Sequence, residues 1–474
     1  MSHSPELHAS LGDGLSSRQV TMISIAGIIG AGLFIGSASA IATAGPAILI
    51  SYALTGFLVL LVMRMLGEMA VMQPDSGSFS TYASRALGPW AGFTIGWLYW
   101  WFWVLIIPVE AIAGANILHA ALPAVPAWAY TLSIMTLLTI TNLFNVKNFG
   151  EFEFWFSIIK VVAIIAFIVV GMVAVAGYWP LARISGISRL WDHGGFMPHG
   201  SGAVLSGVLI TIFSFFGAEI VTIAAAESKN PGQQIRRSTN LVVYRIALFY
   251  LLSIFLVVSL VGWNDPQLKE QGSFQYALNV LNLPGADILV STVVFIAVCS
   301  CMNSGLYTAS RMFYSLAQRG DAPKAGIRVS AGGVPRVAVL CSTLAGFAGC
   351  LANYAFPGKV FDFLLSTTGA IALLVYLTIA VSQLIMRRRL EQSGQTPAFK
   401  MWLFPWLTLF TIGIILLVLG YMFISPDYRY ETLMTGAVAV IMLMLSFYVT
   451  RKRTAQQASR SKMQPQRGTM PTTR

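Results

Sequence analysis

The sequence predicts an all-α integral membrane protein with about 12 transmembrane helices, on three observations. Hydrophobic residues make up 56% of the 474 residues and charged residues only 10%, with a mean hydropathy of +0.72. Soluble domains carry about 25% charged residues, so the composition argues against that class. The apolar runs are about 20 residues long, which is the length of a helix that crosses a bilayer. Long uninterrupted runs also favour helices over barrel strands.

The order of the apolar spans divides the chain into two tails and a membrane domain. Residues 1–18 are a polar N-terminal tail without a cleavable signal, since the first apolar run is itself long enough to span. The membrane domain, 19–450, comprises a first set of five spans (19–177), a second set of five (203–386) and two last spans (401–450). Residues 451–474 are a basic tail. The spans lie near residues 19–42, 47–66, 91–121, 127–145, 154–177, 203–226, 241–262, 285–312, 335–352, 358–386, 401–424 and 430–450.

The distribution of basic residues predicts the orientation. With the N-terminus inside, all but five of the 30 Lys and Arg residues fall in the inner segments and the C-terminal tail. By the positive-inside rule, both termini are therefore cytoplasmic. The charges are dispersed over many loops, which argues against a nucleic-acid partner. The five basic residues outside are Arg183, Arg189, Lys269, Lys359 and Arg429.

A glycine-rich stretch in the first span predicts a broken helix. Four glycines fall between Gly27 and Gly36. Glycine weakens a helix by about 1 kcal/mol relative to alanine and lets other groups approach the backbone. In a bilayer, such a break survives only where it lines a protected cavity. The alternative is close helix packing, because Ala26/Gly30 and Gly32/Gly36 also fit the small-xxx-small spacing.

The sixth span carries a matching weak point at Phe215-Phe-Gly-Ala-Glu219. Each set has five spans, an odd number, so the second set enters the membrane from the opposite side as an inverted repeat. Discontinuities at corresponding places in two halves indicate a transport site near the membrane midplane. The two breaks together therefore favour a site over packing alone.

Charged residues within the spans are rare and usually functional, and three of them stand out. They are Glu110, Glu219 and Lys160. We predict that Glu219, which follows the second break, binds a substrate amine or a proton. Two alternatives remain open: Lys160 could extend to the cytoplasmic surface, and Glu110 could be solvated near the outer surface.

A polar stripe runs along the eighth span. Asn303, Tyr307, Arg311 and Tyr314 are spaced by four, four and three residues, which places them on one helical face. We interpret this stripe, and Asn303 and Tyr307 in particular, as lining the transport pathway. The alternative is that the stripe packs against other helices through hydrogen bonds.

Several motifs in order resemble the amino acid permease family of the amino acid–polyamine–organocation superfamily, over essentially the whole chain. Gly27-Ile-Ile-Gly-Ala-Gly-Leu-Phe-Ile-Gly36 matches the first helix of that family, and Pro74-Asp-Ser-Gly-Ser-Phe-Ser-Thr-Tyr82 the loop after the second. Asn303-Ser-Gly-Leu-Tyr-Thr-Ala-Ser-Arg311 matches the eighth helix. The stretches at Thr94–Val104, Val146–Trp155 and Phe213–Glu227 are similar to the members that carry 4-aminobutyrate.

The resemblance implies a leucine-transporter-type fold with a five-plus-five inverted repeat and two further helices. It also implies secondary active uptake, with the two breaks holding the substrate's carboxylate and amine. Lys160 matches the lysine that stands in the superfamily where sodium-coupled carriers bind an ion, which implies proton coupling through Lys160, Glu110 or Glu219. Ala31 stands where some relatives have serine, so backbone amides must hold the carboxylate. The implied substrate-binding residues are Ala26, Gly27, Ile29, Gly30, Ala31, Gly32, Phe215, Gly217 and Glu219.

Together with the residue patterns, the resemblance implies a proton-coupled symporter for 4-aminobutyrate and related ω-amino acids in the bacterial cytoplasmic membrane. A permease for another amino acid, such as proline or an aromatic one, is the alternative. A membrane enzyme is disfavoured because we find no nucleophile–base pair or metal cluster in the spans, and a channel because no filter sequence is visible. We expect the partners to be the amino acid, protons and the lipid bilayer. We expect no cofactor, no metal and no obligate protein partner.

Overall fold

The computed structural model describes residues 15–463 except 27, 28, 31, 182–184, 331 and 357–367. The described part of the chain is helical, and its one β-type pairing is an isolated bridge between Leu15 and Ser228. The helices are α1 Ser17–Ala26, α2 Ser37–Ala44, α3 Ile48–Met72, α4 Ser78–Leu87, α5 Pro89–Ala121, α6 Ala127–Phe144, α7 Val146–Val175, α8 Gly200–Phe215, α9 Ile220–Ala226, α10 Pro231–Arg245, α11 Ser253–Leu260, α12 Pro266–Gln271, α13 Ser273–Val280, α14 Ala286–Gln318, α15 Arg336–Ala355, α16 Gly369–Gln392, α17 Trp406–Ile424 and α18 Pro426–Met463.

Every predicted span corresponds to helix in the structure, which confirms the all-α membrane fold. Among the described residues, ten helical runs are long and apolar enough to cross a membrane, and one of them, Gly32–Met72, combines the end of the first predicted span with the second. The sixth span is represented by a shorter apolar helix, Gly200–Ile212. The start of the tenth span lies outside the described residues. The last helix continues through Met463, beyond the predicted end of the membrane domain.

Both predicted breaks interrupt their helices. In the first span, α1 ends at Ala26 and regular structure resumes as a π-helical segment, Gly32–Gly36, before α2. In the sixth span, α8 ends at Phe215, Phe216–Glu219 form a turn, and α9 follows. The backbone φ of Gly217 is 104°, a value that suits glycine and strains other residues. The glycine therefore permits the turn.

The centre of the bundle is built on the two longest buried helices, α5 and α14. Three glycines let them approach closely: a Cβ at Gly96 would lie 2.9 Å from the Leu316 side chain, and one at Gly305 would lie 2.9 Å from the Trp103 ring. A Cβ at Gly114 would lie 3.4 Å from Val298. Positions rise along α5 as they fall along α14, so the helices run antiparallel. Corresponding members of two inverted repeats have this arrangement.

Candidate functional site

The first break lies against the central helices α5 and α14. Ile29 is fully buried, and a Cβ at Gly30 would lie 3.2 Å from the Cβ of Cys301 and 3.8 Å from Oε1 of Glu110. Gly27 and Ala31, two of the predicted binding residues, lie outside the described residues, and Ala26 is the last residue of α1. The broken backbone thus approaches a carboxylate at Gly30.

The second break holds its own carboxylate in place. Glu219 is fully buried, and its Oε1 accepts a hydrogen bond of 2.8 Å from the hydroxyl of Tyr99. Its Oε2 accepts one of 3.1 Å from the backbone N–H of Gly217. Both oxygens are engaged by protein donors, so the carboxylate is fixed over the turn that Gly217 makes.

The two breaks are joined directly. The Ser214 hydroxyl, in the last turn of α8, donates a hydrogen bond of 2.9 Å to the carbonyl of Gly32. The Tyr250 hydroxyl donates one of 2.9 Å to the Ser214 carbonyl, and the Tyr250 ring lies 4.3 Å from that of Phe215. The two breaks therefore meet in the bundle. Gly32 and Phe215, which mark them, are 183 positions apart in the chain.

Glu110 differs from Glu219 in how its carboxylate is satisfied. The residue is 2% exposed, so the alternative of a solvated position near the outer surface is wrong. Its Oε2 has no hydrogen-bond partner in the described part of the chain. An unsatisfied buried carboxylate oxygen is costly, and each such atom calls for an explanation such as a ligand, an ion or a water.

Lys160 belongs to a buried polar cluster on α7 and α14. It is fully buried, which rules out the snorkelling alternative, and its Nζ donates a hydrogen bond of 2.7 Å to the Ser300 hydroxyl. Glu153 Oε1 lies 4.0 Å from that Nζ and accepts a hydrogen bond from the Ser300 hydroxyl. Glu153 Oε2 accepts one of 3.3 Å from Asn303 Nδ2. Asn142 donates to Asn303 at 2.7 Å. Hydrogen bonds from this ion pair and from Asn303 thereby link the three helices α6, α7 and α14.

The polar stripe on α14 packs against other helices in this structure. The Tyr307 ring stacks on that of Phe149 at 4.1 Å, and Arg311 Nε donates a hydrogen bond of 2.9 Å to Glu227 on the loop after α9. Asn303, Tyr307, Arg311 and Tyr314 are all buried. A role of Asn303 and Tyr307 in the pathway remains a prediction, since the contacts observed are those of the packing alternative.

Arg245 is one of the basic residues that the charge pattern predicts in the inner segments, but the structure places it inside the bundle. It ends α10, in the middle of the helical run Pro231–Leu260, and is 3% exposed. A lone arginine four positions into a predicted span was the signal available in the sequence. Glu153 and Tyr99 were also missed, because their roles depend on partners from helices far away in the chain.

Comparison with known proteins identifies the family. Residues 19–459 match the amino acid permease family. The chain is 57% identical over 447 residues to a probable GABA permease of Pseudomonas aeruginosa, with 94% of each chain covered. It is also 57% identical over 440 residues to the gamma-aminobutyric acid permease of Escherichia coli K12, covering 93% of this chain and 94% of that one.

A solved structure independently supports the fold. The crystal structure of a manganese transporter from Eremococcus coleocola, in complex with an aromatic bis-isothiourea substituted compound, matches with a TM-score of 0.56. The match covers 91% of this chain and 93% of that chain at 13% sequence identity, so it bears on architecture alone. The sequence match over nearly the whole chain confirms the predicted membership: this multi-pass membrane protein belongs to the amino acid permease family.

Proposed function

We propose that the protein is a proton-coupled symporter that imports 4-aminobutyrate and related ω-amino acids across the bacterial cytoplasmic membrane by alternating access. The observation that carries the proposal is the 57% identity, over nearly the whole chain, to two proteins named as permeases for this substrate. The geometry of the helix bundle supports it, because the two adjoining helix breaks bring together groups that can bind an anion and groups that can bind a cation.

The substrate's two charged ends find partners near the first break. Free amides and the positive dipole end of a half-helix favour a carboxylate, and Ile29, Gly30 and Gly32 lie on this segment. Glu110, with one unpaired oxygen close to Gly30, is available to accept hydrogen bonds from an ammonium group. Glu219 is less available, since Tyr99 and the Gly217 amide already occupy both of its oxygens.

Proton coupling is proposed to run through the buried charges. Lys160, Glu110 and Glu219 are the candidates, and Lys160 sits with Glu153 in a cluster that spans three helices. A proton gained or lost there changes the net charge of a buried network. That change shifts the equilibrium between the conformations that open the site to one side of the membrane or the other. Both termini are proposed to be cytoplasmic.

One observation favours a second substrate class. The chain is 37% identical over 444 residues to an aromatic amino acid transport protein of Corynebacterium glutamicum.

The test is uptake by purified full-length protein in liposomes. We expect labelled 4-aminobutyrate to accumulate when the interior is made alkaline relative to the medium, and accumulation to stop when a protonophore is added. Accumulation of phenylalanine but not 4-aminobutyrate would contradict the substrate assignment. Uptake driven by a sodium gradient and indifferent to pH would contradict the proton coupling.

A further inference from the structure

Arg245 is a buried cation whose side chain is only partly satisfied. It is 3% exposed, and its Nη1 donates to the backbone carbonyl of Ser24. Its Nε and Nη2 have no hydrogen-bond partner in the described part of the chain, and none of the ion pairs found there includes Arg245. By contrast, the buried Arg311 and Arg387 are paired with Glu227 and Glu68.

An unpaired guanidinium in this position has hydrogen-bonding capacity left for an anionic ligand. Arginine keeps its charge in proteins, and a charge inside a membrane protein is expensive unless it is paired or lines a pathway. The two unsatisfied nitrogens, Nε and Nη2, form one edge of the planar guanidinium. That edge matches the two oxygens of a carboxylate, which can accept two parallel hydrogen bonds from it.

Arg245 lies between the two helix breaks. Its partner Ser24 stands in the last turn of α1, just before the first break. The π-helical segment Ile246–Leu252 begins at the next residue and carries Tyr250, which binds Ser214 at the second break. Single π-helical turns within α-helices occur frequently at functional sites.

The site therefore has two unsatisfied poles of opposite sign. The free carboxylate oxygen of Glu110 lies beside Cys301 and the Gly30 backbone, whereas the free guanidinium edge of Arg245 lies beside Ser24. Glu110 contacts the break at Gly30, whereas Arg245 contacts the chain six positions earlier, at Ser24 in the last turn of α1. A zwitterion whose charges are separated by several carbons satisfies both, while an α-amino acid carries both charges on one carbon.

We propose that Arg245 binds the carboxylate of an ω-amino acid through Nε and Nη2 while Glu110 accepts the ammonium group. This assignment rests on the proposed function and supplies a side-chain contact that backbone amides of the first break cannot. It makes Arg245 a specificity-determining residue, because without the guanidinium a carboxylate far from the ammonium group no longer contributes to the affinity.

The experiment compares two ligands that differ only at the carboxylate. Binding of 4-aminobutyrate and of its neutral amide, 4-aminobutanamide, is measured by titration calorimetry on the purified full-length protein. Wild-type protein should bind the acid about 10- to 100-fold more tightly than the amide, the range of a charge-assisted hydrogen bond. In Arg245→Gln that ratio should fall to about one, and in Arg245→Lys to an intermediate value.

Arg237→Gln is the matched control, since Arg237 is an exposed arginine on the same helix, and it should keep the wild-type ratio. An unchanged ratio in Arg245→Gln would overturn the assignment. If that variant binds neither ligand, a cryo-EM structure of wild-type protein with 4-aminobutyrate decides: a carboxylate about 3 Å from Nε or Nη2 of Arg245 supports the assignment, and a carboxylate elsewhere overturns it. Failure of the wild-type protein itself to bind 4-aminobutyrate would instead refute the proposed function.

Discussion

At the scale of single residues, the buried charged groups separate into satisfied and unsatisfied ones. Glu219, Glu227 and Glu153 have protein donors on both carboxylate oxygens. Glu110 retains a free oxygen and Arg245 two free nitrogens. Satisfied groups hold helices together, whereas unsatisfied ones have capacity left for a ligand. Glu110 and Arg245 are therefore stronger candidates for substrate contacts than the three satisfied carboxylates.

We predict that Glu110→Gln reduces 4-aminobutyrate uptake at least about tenfold, because an amide offers the substrate ammonium a neutral partner in place of a charged one. The variant should still reach the membrane, since glutamine has nearly the same shape. Initial uptake rates in liposomes across a range of substrate concentrations measure the effect. Glu151→Gln, at a surface position where the side chain is 44% exposed, is the control. Near-normal uptake by the Glu110 variant would return Glu110 to a structural role.

A second prediction concerns the Lys160–Glu153 pair, whose charged atoms lie 4.0 Å apart with both side chains fully buried. Lys160→Met should lower the free energy of unfolding by about 3–5 kcal/mol, because it leaves a buried carboxylate without its counter-charge. Adding Glu153→Gln should recover part of that loss. Thermal unfolding of the four proteins of this cycle in detergent gives the coupling energy.

The exposed pair Arg18–Glu151 serves as the reference for that cycle, with side chains 61% and 44% exposed. Its coupling should be about 0–1 kcal/mol. If the losses at Lys160 and Glu153 are simply additive, the buried pair does not act as a unit.

Sequence patterns identified which residues are unusual but not what each of them contacts. Glu110, Lys160 and Glu219 stood out because a charge in an apolar span is conspicuous. Glu153 did not, since it lies one residue before the predicted start of the fifth span at 154. Arg245 was assigned to the inner segments because arginines cluster near the cytoplasmic ends of spans. The contacts of Lys160 with Ser300 and of Glu219 with Tyr99 join distant helices, and no local pattern specifies them.

At the scale of secondary-structure elements, breaks were predictable and their detailed form was not. Glycines located both interruptions, four in the first span and Gly217 in the sixth, because glycine weakens a helix in any context. The π-helical segments Gly32–Gly36 and Ile246–Leu252 have no comparable signal. The second of these is entirely apolar in sequence, and its form depends on how the seventh span fits against its neighbours.

The turn at the second break yields a prediction about the element itself. Gly217→Ala should reduce uptake strongly, because alanine at a φ of 104° strains the backbone by about 1–3 kcal/mol and shifts the amide that binds Glu219. Gly36→Ala is the matched control in the first broken span, where an added Cβ meets nothing within 4 Å. Uptake and membrane yield are measured for both variants. Equal activity of the two would show that the conformation at Gly217 is dispensable.

At the scale of the whole molecule, a buried ion pair ties elements together on the side where Leu15 pairs with Ser228, which we call the N-terminal end. Arg311 on α14 binds both carboxylate oxygens of Glu227, with Nε–Oε1 and Nη2–Oε2 distances of 2.9 and 3.5 Å. The backbone N–H of Leu15 donates to the carbonyl of the same Glu227 at 3.4 Å. The chain before α1, the end of the sixth span and the eighth span are thereby fastened at one place. Opening this end of the bundle must separate them.

We therefore predict that Glu227→Gln exposes the central site from the N-terminal end. Losing one charge-assisted contact of about 1.5–3 kcal/mol should raise the population of the open form about 10- to 100-fold. The reporter is Cys301, which lies beside Gly30, in a protein whose three other cysteines are replaced by alanine. Labelling by a membrane-impermeant maleimide should accelerate from the N-terminal side in vesicles of known orientation, and from that side only.

Glu391→Gln provides the control for this experiment, because the Arg387–Glu391 pair it breaks has a carboxylate that is 43% exposed. Exposed pairs contribute little, so labelling of Cys301 should keep the wild-type rate in that variant. Faster labelling from the opposite side in Glu227→Gln, or no change at all, would mean that the pair does not hold this end closed. Because Glu227 and Arg311 lie apart from the unsatisfied poles at Glu110 and Arg245, the affinity for 4-aminobutyrate should change far less than the labelling rate. A change of access without a comparable change of affinity distinguishes a closure contact from a binding contact.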